Sequence, residues 1–186
     1  MPAQAVTITT ERLLLRPWRE QDRGPFAALN GDPDVMEWFP FTLTEAQSDK
    51  LADRIEERIA EYGWGLWAVE VPGAADFIGF VGLNDATDQL GDPAIEIGWR
   101  LAKEHWGHGY APEAAIASLA YGFDVLGLAE IVAFTSTGNG KSRRVMEKIG
   151  MTHDPSRDFD HPRIPPGSPL LRHVLYAIDR ETFAQD

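Results

Sequence analysis

One short run constrains this chain more than any other: Trp106-Gly107-His108-Gly109-Tyr110-Ala111. It stands between the apolar strand pattern Ala94–Leu101 and a segment, Pro112–Leu126, that is apolar nearly all round and therefore expected to be buried. Two glycines two apart let the backbone turn so that successive N–H groups face the same way. A helix opening near Pro112 adds its own unsatisfied N-terminal donors and the positive end of its dipole. Such a loop either holds the oxygens of a phosphate group or simply turns the chain between two elements. It lacks the Lys-Ser/Thr of a Walker loop and the third glycine of a dinucleotide fingerprint. Under both readings a strand, a tight loop and a buried helix follow one another, which requires a sheet with helices packed on it.

The rest of the pattern supplies the other elements. Arg12–Pro17 is an apolar run stopped by proline, a strand. Asp22 to about Asn30 reads as a short helix closed by Gly31-Asp32-Pro33. Thr44 starts a helix that runs to about Tyr62, with Leu51, Ile55 and Ile59 on one stripe and Gly63 as its stop. Trp64–Val71 and Phe77–Leu83 form a hairpin around Pro72-Gly73, and Gly79 and Gly82 inside the second strand signal close backbone approach. Glu130–Thr135 is a strand, Ser142–Ile149 a helix stopped by Gly150, and Leu171–Ile178 a last strand. Antiparallel strands followed by strand–helix–strand units predict a mixed sheet with helices on its faces, and 186 residues suit a single domain spanning 1–186.

Charge and composition exclude several classes. Twenty-nine acidic against 17 basic residues give a net charge of −12, which disfavours nucleic acid and anionic membrane surfaces as partners. There is no cysteine, so disulfides, thiolate metal sites and a cysteine nucleophile are out. His105 and His108 are three apart, but no acidic or histidine cluster completes a metal shell, and no metal is expected. No stretch approaches the roughly 18 apolar residues of a membrane span, and Met1–Thr10 lacks the pattern of a signal peptide. A cytoplasmic protein is expected.

A second segment sharpens the reading. Asn139-Gly140-Lys141-Ser142 opens a helix after the next strand, and Lys148-Ile149-Gly150-Met151 closes it. The succession strand, WGHGYA, helix, strand, NxxS, helix, KIGM resembles the GNAT N-acetyltransferases, and within them the ribosomal-protein N-terminal acetyltransferases of the Rim type. The resemblance runs from Thr10 to the last strand; TERLLLRPW and EIGWRL…HWGHGYAPEA are its most specific parts. It implies an α/β (α+β) fold with a mixed, mostly antiparallel central sheet of about seven strands flanked by helices. It also implies acetyl-CoA as cosubstrate and direct transfer of the acetyl group to a primary amine in a ternary complex. In the family's cradle pattern, Trp106 stands where most members have Gln or Arg, and Gly109 and Ala111 match. The resemblance then assigns the amides of Gly107, His108, Gly109, Tyr110 and Ala111 to the pyrophosphate. Trp99, Arg100 and Leu101 should pair with the pantetheine arm as another strand would, and Asn139 and Ser142 should line that arm near the sulfur.

The chemistry needs few roles. An amine attacks a thioester only when neutral, so something must take its proton. Glu96 lies in Ile95-Glu96-Ile97 just before the cradle, where burial raises a carboxyl pKa toward the useful range. Gly98 shares its face and leaves room for an amine or a water. The bland alternative is a strand carboxylate facing water. A backbone N–H near Trp99 or Arg100 suits the oxyanion. Many family members place a Tyr four residues after the Ser of NxxS; here that position is Met146, which leaves Ser142 as the candidate acid or as a plain helix cap, and Tyr176 as a weaker candidate. Glu113 suits the first turn of its helix but would repel a pyrophosphate, so it should face away.

The acceptor side is less defined. Trp38-Phe39-Pro40-Phe41 walls an acceptor pocket or clasps the core, and His161–Pro169 is a stiff connector or a lid. The acceptor is a protein N-terminus or a small-molecule amine; the acidic surface favours a cationic one. A monomer or homodimer is expected. Met146 in place of Tyr keeps a second reading open, a catalytically silent acyl-CoA-binding module, and the glycine loop alone would also suit a nucleotide-phosphate binder.

Overall fold

The computed structural model describes residues 4–184. Its strands are β1 (Ile8–Thr9), β2 (Leu14–Arg16), β3 (Leu66–Val71), β4 (Ala75–Asp85), β5 (Ile95–Leu101), β6 (Glu130–Ser136), β7 (Thr152–His153), β8 (Phe159–Asp160) and β9 (Arg172–Asp179). Its α-helices are α1 (Arg23–Gly31), α2 (Glu45–Tyr62), α3 (Thr87–Leu90), α4 (Tyr110–Ala120), α5 (Gly140–Lys148) and α6 (Arg180–Phe183). The strands form one sheet in the order β1-β2-β3-β4-β5-β6-β9-β7, with β8 also on β9. Every pairing is antiparallel except β5 with β6. Nine strands stand where about seven were expected, because β1, β7 and β8 are two residues long and leave no periodic trace in a sequence.

Local chemistry explains the helix ends. Thr44 caps α2 in a reciprocal pair with Gln47, and Gly63, at φ 81°, stops it. α2 buries Ala52, Ile55 and Ile59, which join Phe26 and Leu29 of α1, Trp18, Ala68 and Phe80 in a core on one face of the sheet. The opposite face carries the larger core, in which Trp67, Val81, Ile97 and Ile131 meet Leu119 of α4 and Met146 of α5. α4 begins two residues before the expected Pro112, at Tyr110, and passes into a π-helical turn over Tyr121–Val125. Contrary to expectation it is not buried all round: Ile116 and Val125 are exposed, since only one side of the helix meets the sheet.

Gly79 and Gly82 show the close approach that the sequence suggested. A Cβ at Gly79 would lie 2.1 Å from the carbonyl oxygen of Arg100, and one at Gly82 would lie 2.1 Å from that of Gly65. At Gly79 the crowding is with β5, to which β4 pairs from Asp85–Ile95 to Gly79–Leu101, and at Gly82 it is with the start of β3.

The other edge of β5 is different. It meets β6 at a single parallel bridge, Glu96 to Val132, and β6 turns its far edge to β9. From Ile97 to Leu101 the edge of β5 has no strand partner among the described residues, so the sheet is split there into two blades joined near Glu96 and by α4. Unpaired backbone groups on an edge are ready to bond an extended ligand.

Candidate active site

The loop at the mouth of this split carries the cradle. Gly107 and Gly109 adopt φ of 78° and 80°, a left-handed conformation that favours glycine. Gly109 precedes the first turn of α4. Among the described residues, no backbone N–H from Gly107 to Ala111 bonds to a protein acceptor. Five adjacent donors at a helix N-terminus are therefore without a protein partner among the described residues, which fits a pyrophosphate. The Trp106 indole donates to the Leu101 carbonyl at 2.9 Å and ties the loop to the end of β5. The Lys141 ammonium lies 4.5 Å from the Trp106 ring and brings the start of α5 beside the cradle.

The cradle is braced from the far end of the sequence. Glu113 accepts from the Thr10 hydroxyl at 2.6 Å and from the backbone and Nε of Arg12 at 2.9 and 2.7 Å. Burial works against ionisation of Glu113, but these hydrogen bonds outweigh it and hold the carboxyl below its ordinary range. Arg12 also donates to the His108 carbonyl at 2.9 Å and lies over the Tyr110 ring, on which His108 stacks. Glu113 thus serves the loop through Thr10 and Arg12, consistent with a structural role. Arg12 itself was not expected at the site; the TERLLLRPW segment that contains it was the available signal.

Glu96, Gly98 and Arg100 alternate onto the face covered by α1 and α2. Glu96 is half-buried and accepts from the Asn84 amide, across the β4–β5 ladder, at 3.1 Å. Burial pushes its carboxyl up to about 7, opposed by that hydrogen bond and by the charge of Arg163. A Cβ built at Gly98 would meet nothing within 4 Å. The carboxyl therefore borders open space, on the strand with the free edge.

At α5, Asn139 is the cap: its carbonyl oxygen accepts from the Ser142 N–H at 3.1 Å, and its amide donates to the Thr135 hydroxyl at 3.0 Å. The Ser142 hydroxyl makes no hydrogen bond among the described residues, so capping does not occupy it. Met146 is buried in the core. The Tyr176 ring is buried too, and its hydroxyl accepts from Arg143 and donates to Glu147, both at 3.1 Å. Tyr176 pairs with Ala133 on the face opposite Glu96, so the structure does not bring the two together.

The aromatic segment after α1 divides its duties. Val35 and Met36 are buried. Trp38 packs on Gly138, where a Cβ would come within 2.7 Å of its ring, and Phe39 stacks on the Arg100 guanidinium. On the other flank His161 lies 4.8 Å from His173, ring to ring, beside Phe134 and Phe159. Burial, with the charges of His173 and Arg163, lowers His161 to about 4, which keeps it neutral at pH 7. Among the described residues no group of three or more His, Asp or Glu could hold a metal ion, and no helix is long and apolar enough to cross a membrane.

A split sheet with a free strand edge, a glycine cradle at a helix N-terminus and a carboxyl raised by burial together describe an acyl-CoA-dependent acyltransferase. The comparisons with known proteins say the same. Residues 12–152 match the family model described as the acetyltransferase (GNAT) domain. The uncharacterized Bacillus subtilis protein YkkB is 35% identical over 146 residues, 77% of this chain and 84% of that one. The Aspergillus fumigatus FsC-acetyl coenzyme A-N(2)-transacetylase is 31% identical over 191 residues, 94% of this chain and 77% of that one. A GNAT-family acetyltransferase from Bacillus anthracis superposes with a TM-score of 0.79 at 30% identity, over 95% of this chain and 99% of that one. The chain belongs to the GNAT acetyltransferases and is an acetyl-CoA-dependent N-acetyltransferase.

Proposed function

We propose that the protein passes the acetyl group of acetyl-CoA directly to a primary amine within a ternary complex, with Glu96 as the base. The observation that carries this is the Glu96 carboxyl, raised to about 7 and bordering the space over Gly98. Acetyl-CoA supplies the thioester carbon that the amine attacks. The amides of Gly107 to Ala111 bind its pyrophosphate, and the free edge over Trp99–Leu101 aligns the extended arm, so that binding energy positions the reacting atoms. A backbone N–H near Trp99 or Arg100 stabilises the charge that develops on the acyl oxygen. Glu96 takes the proton from the amine, directly or through one water. The Ser142 hydroxyl, without a partner among the described residues, gives a proton toward the departing sulfur; a thiol of pKa about 8.5 needs little help.

Asn139 contributes by holding the start of α5 in place, through its bonds to Ser142 and Thr135. The acceptor is a protein N-terminus, as in the Rim-type branch whose motifs the chain resembles, or a small-molecule amine. The name of the Aspergillus relative, an N(2)-transacetylase, supports acetylation of nitrogen.

The test is an acetyl-CoA turnover screen over amines and short peptides. Release of CoA that depends on the amine supports the reading. Tight acetyl-CoA binding with no release for any amine favours a catalytically silent acyl-CoA-binding module, the reading that Met146 at the usual Tyr position keeps open.

A further inference from the structure

Two arginines of the sheet lie on the α1–α2 face, in very different company. Arg16 on β2 is almost fully enclosed and fully satisfied. It bonds Asp22 through two nitrogens at 2.8 and 2.9 Å, Glu70 at 2.7 Å, and the carbonyls of Asp76 and Pro17. Arg100 on β5 has one partner, the Asn30 side-chain oxygen, which takes its Nη1 at 2.6 Å. Its guanidinium lies 4.2 Å from the centroid of the Phe39 ring and 5.4 Å from that of Phe80. Its Nε is sealed from solvent and bonds nothing. No carboxylate pairs with it among the described residues, although the chain has 29 of them.

A half-buried cation with one neutral partner, whose Nε is covered and unbonded among the described residues, is costly unless an anion completes it. Asn30 takes one of the five N–H donors of Arg100, and among the rest the Nε–H and one Nη2–H point along one edge of the guanidinium in parallel. That fork fits the two oxygens of a carboxylate. Arg100 is also well placed to meet a substrate. It shares its strand face with Glu96, and between them lies Gly98 with nothing above it. An amine over Gly98 would be about 7 Å along the strand from Arg100 and from Glu96.

Building on the acetyl-transfer reading, we infer that the acceptor is a small amino acid–like zwitterion: its amine faces Glu96 and its carboxylate completes the open fork of Arg100. This refines the charge argument from the surface. A chain of net charge −12 disfavours anions at long range, so an unpaired guanidinium inside the site is a local recognition element that the overall charge conceals. The Nε is covered in this structure, so a carboxylate reaches it only if a neighbouring group shifts, and the Phe39 ring lies nearer the guanidinium than the Phe80 ring does. Phe39 belongs to the turn-rich 32–41 segment, which is tied by ion pairs from Asp34 to Lys103, after β5, and from Glu37 to Lys141, at the start of α5. The lowered proton affinity of Arg100, at about 10, is what burial without a counter-ion produces.

The test compares α-, β- and γ-amino acids with their primary carboxamides and methyl esters as acceptors. The expected result is a kcat/KM at least tenfold higher for the acids, and a collapse of that preference to within about twofold in Arg100→Gln, because a charged bidentate pair is lost. Equal turnover of acids and carboxamides by the wild type overturns the inference, as does an Arg100→Gln variant that keeps the preference. A direct readout separates this from failure of the enzyme reading. The ¹⁵Nε–¹H signal of Arg100, assigned by its loss in Arg100→Gln, should shift with an amino acid and stay in place with its carboxamide. If no amine of any kind is acetylated but that shift occurs, the carboxylate site stands and the catalytic reading falls. A signal unmoved by every amino acid overturns the site.

Discussion

Replacing Glu96 by Gln tests the catalytic reading twice over, because the same burial that makes Glu96 a useful base makes it a burden on the fold. The folded protein holds this carboxyl at about 7 against an ordinary 4.5. Its proton affinity is raised on folding, so the native state favours the protonated form. Stability is therefore least affected below 4.5, falls as pH rises between 4.5 and 7, and is flat above that. Each pH unit in that interval is worth about 1.4 kcal/mol, so the ionised carboxylate costs the fold about 3 kcal/mol at pH 8. Gln keeps an oxygen for the Asn84 amide and cannot ionise. Glu96→Gln should thus be more stable than the wild type by about 1 kcal/mol at pH 5 and about 3 kcal/mol at pH 8, measured by urea unfolding at several pH values. Turnover should move the other way, down by about 10²–10⁴-fold. With a pKa of about 7, roughly a tenth of Glu96 is ionised at pH 6 and nine tenths at pH 8, so the ratio of wild-type to variant rates should rise about tenfold over that span. Taking the ratio removes the ionisation of the amine itself. A variant no more stable at pH 8, together with a flat rate ratio, would refute both the raised pKa and the base.

Three further outcomes follow from the site. Gly109→Val places a branched side chain at φ 80°, 3.3 Å from Arg12 Nη2 and beside the donors of the cradle; acetyl-CoA affinity, measured by calorimetry, should fall at least tenfold, and unchanged affinity in a folded variant would remove the cradle from binding. Ser142→Ala should lower turnover by roughly 10²-fold while α5 stays folded, since Asn139 is its cap; a loss confined to acetyl-CoA affinity would make Ser142 a binding residue instead. Glu113→Gln disrupts the brace formed by Thr10 and Arg12, and should weaken acetyl-CoA binding about three- to tenfold, because the lost bonds act on the loop indirectly, without changing the pH profile of turnover.

What could be read in the sequence was what local patterns encode. Thr44, the Leu51–Ile55–Ile59 stripe and Gly63 bounded α2 because cap, face and stop all lie within the helix itself. The Glu96–Gly98 spacing gave a carboxyl beside open space, since a period of two is a property of any strand. The partners of Glu113 were not legible, because Thr10 and Arg12 stand about a hundred residues away and no spacing rule joins them. Arg100 was read only for its backbone. Its side chain is defined by Asn30, Phe39 and Phe80, from a helix end, a turn and a neighbouring strand, which only the fold assembles. The short strands β7 and β8 exist because β9 offers them an edge, not because their own residues demand extension.

The lone bridge between Glu96 and Val132 has a consequence for how the chain comes together. From β1 to β5 the strands lie side by side in the order in which they are synthesised, so each can add to its predecessor through short-range pairing. β6 cannot join in that way: it runs parallel to β5 and waits for α4 to cross between them. The strands after it gather on β9, which arrives last of all and holds β6, β7 and β8 at once. Folding therefore divides into an early half that contains Glu96 and a late half that contains Ser142, and the cleft is the junction where they dock. A chain emerging from the ribosome presents Glu96 and its strand before the other wall of the site has been made, so this topology predicts that competence to bind acetyl-CoA is acquired at the final step of folding rather than gradually along it.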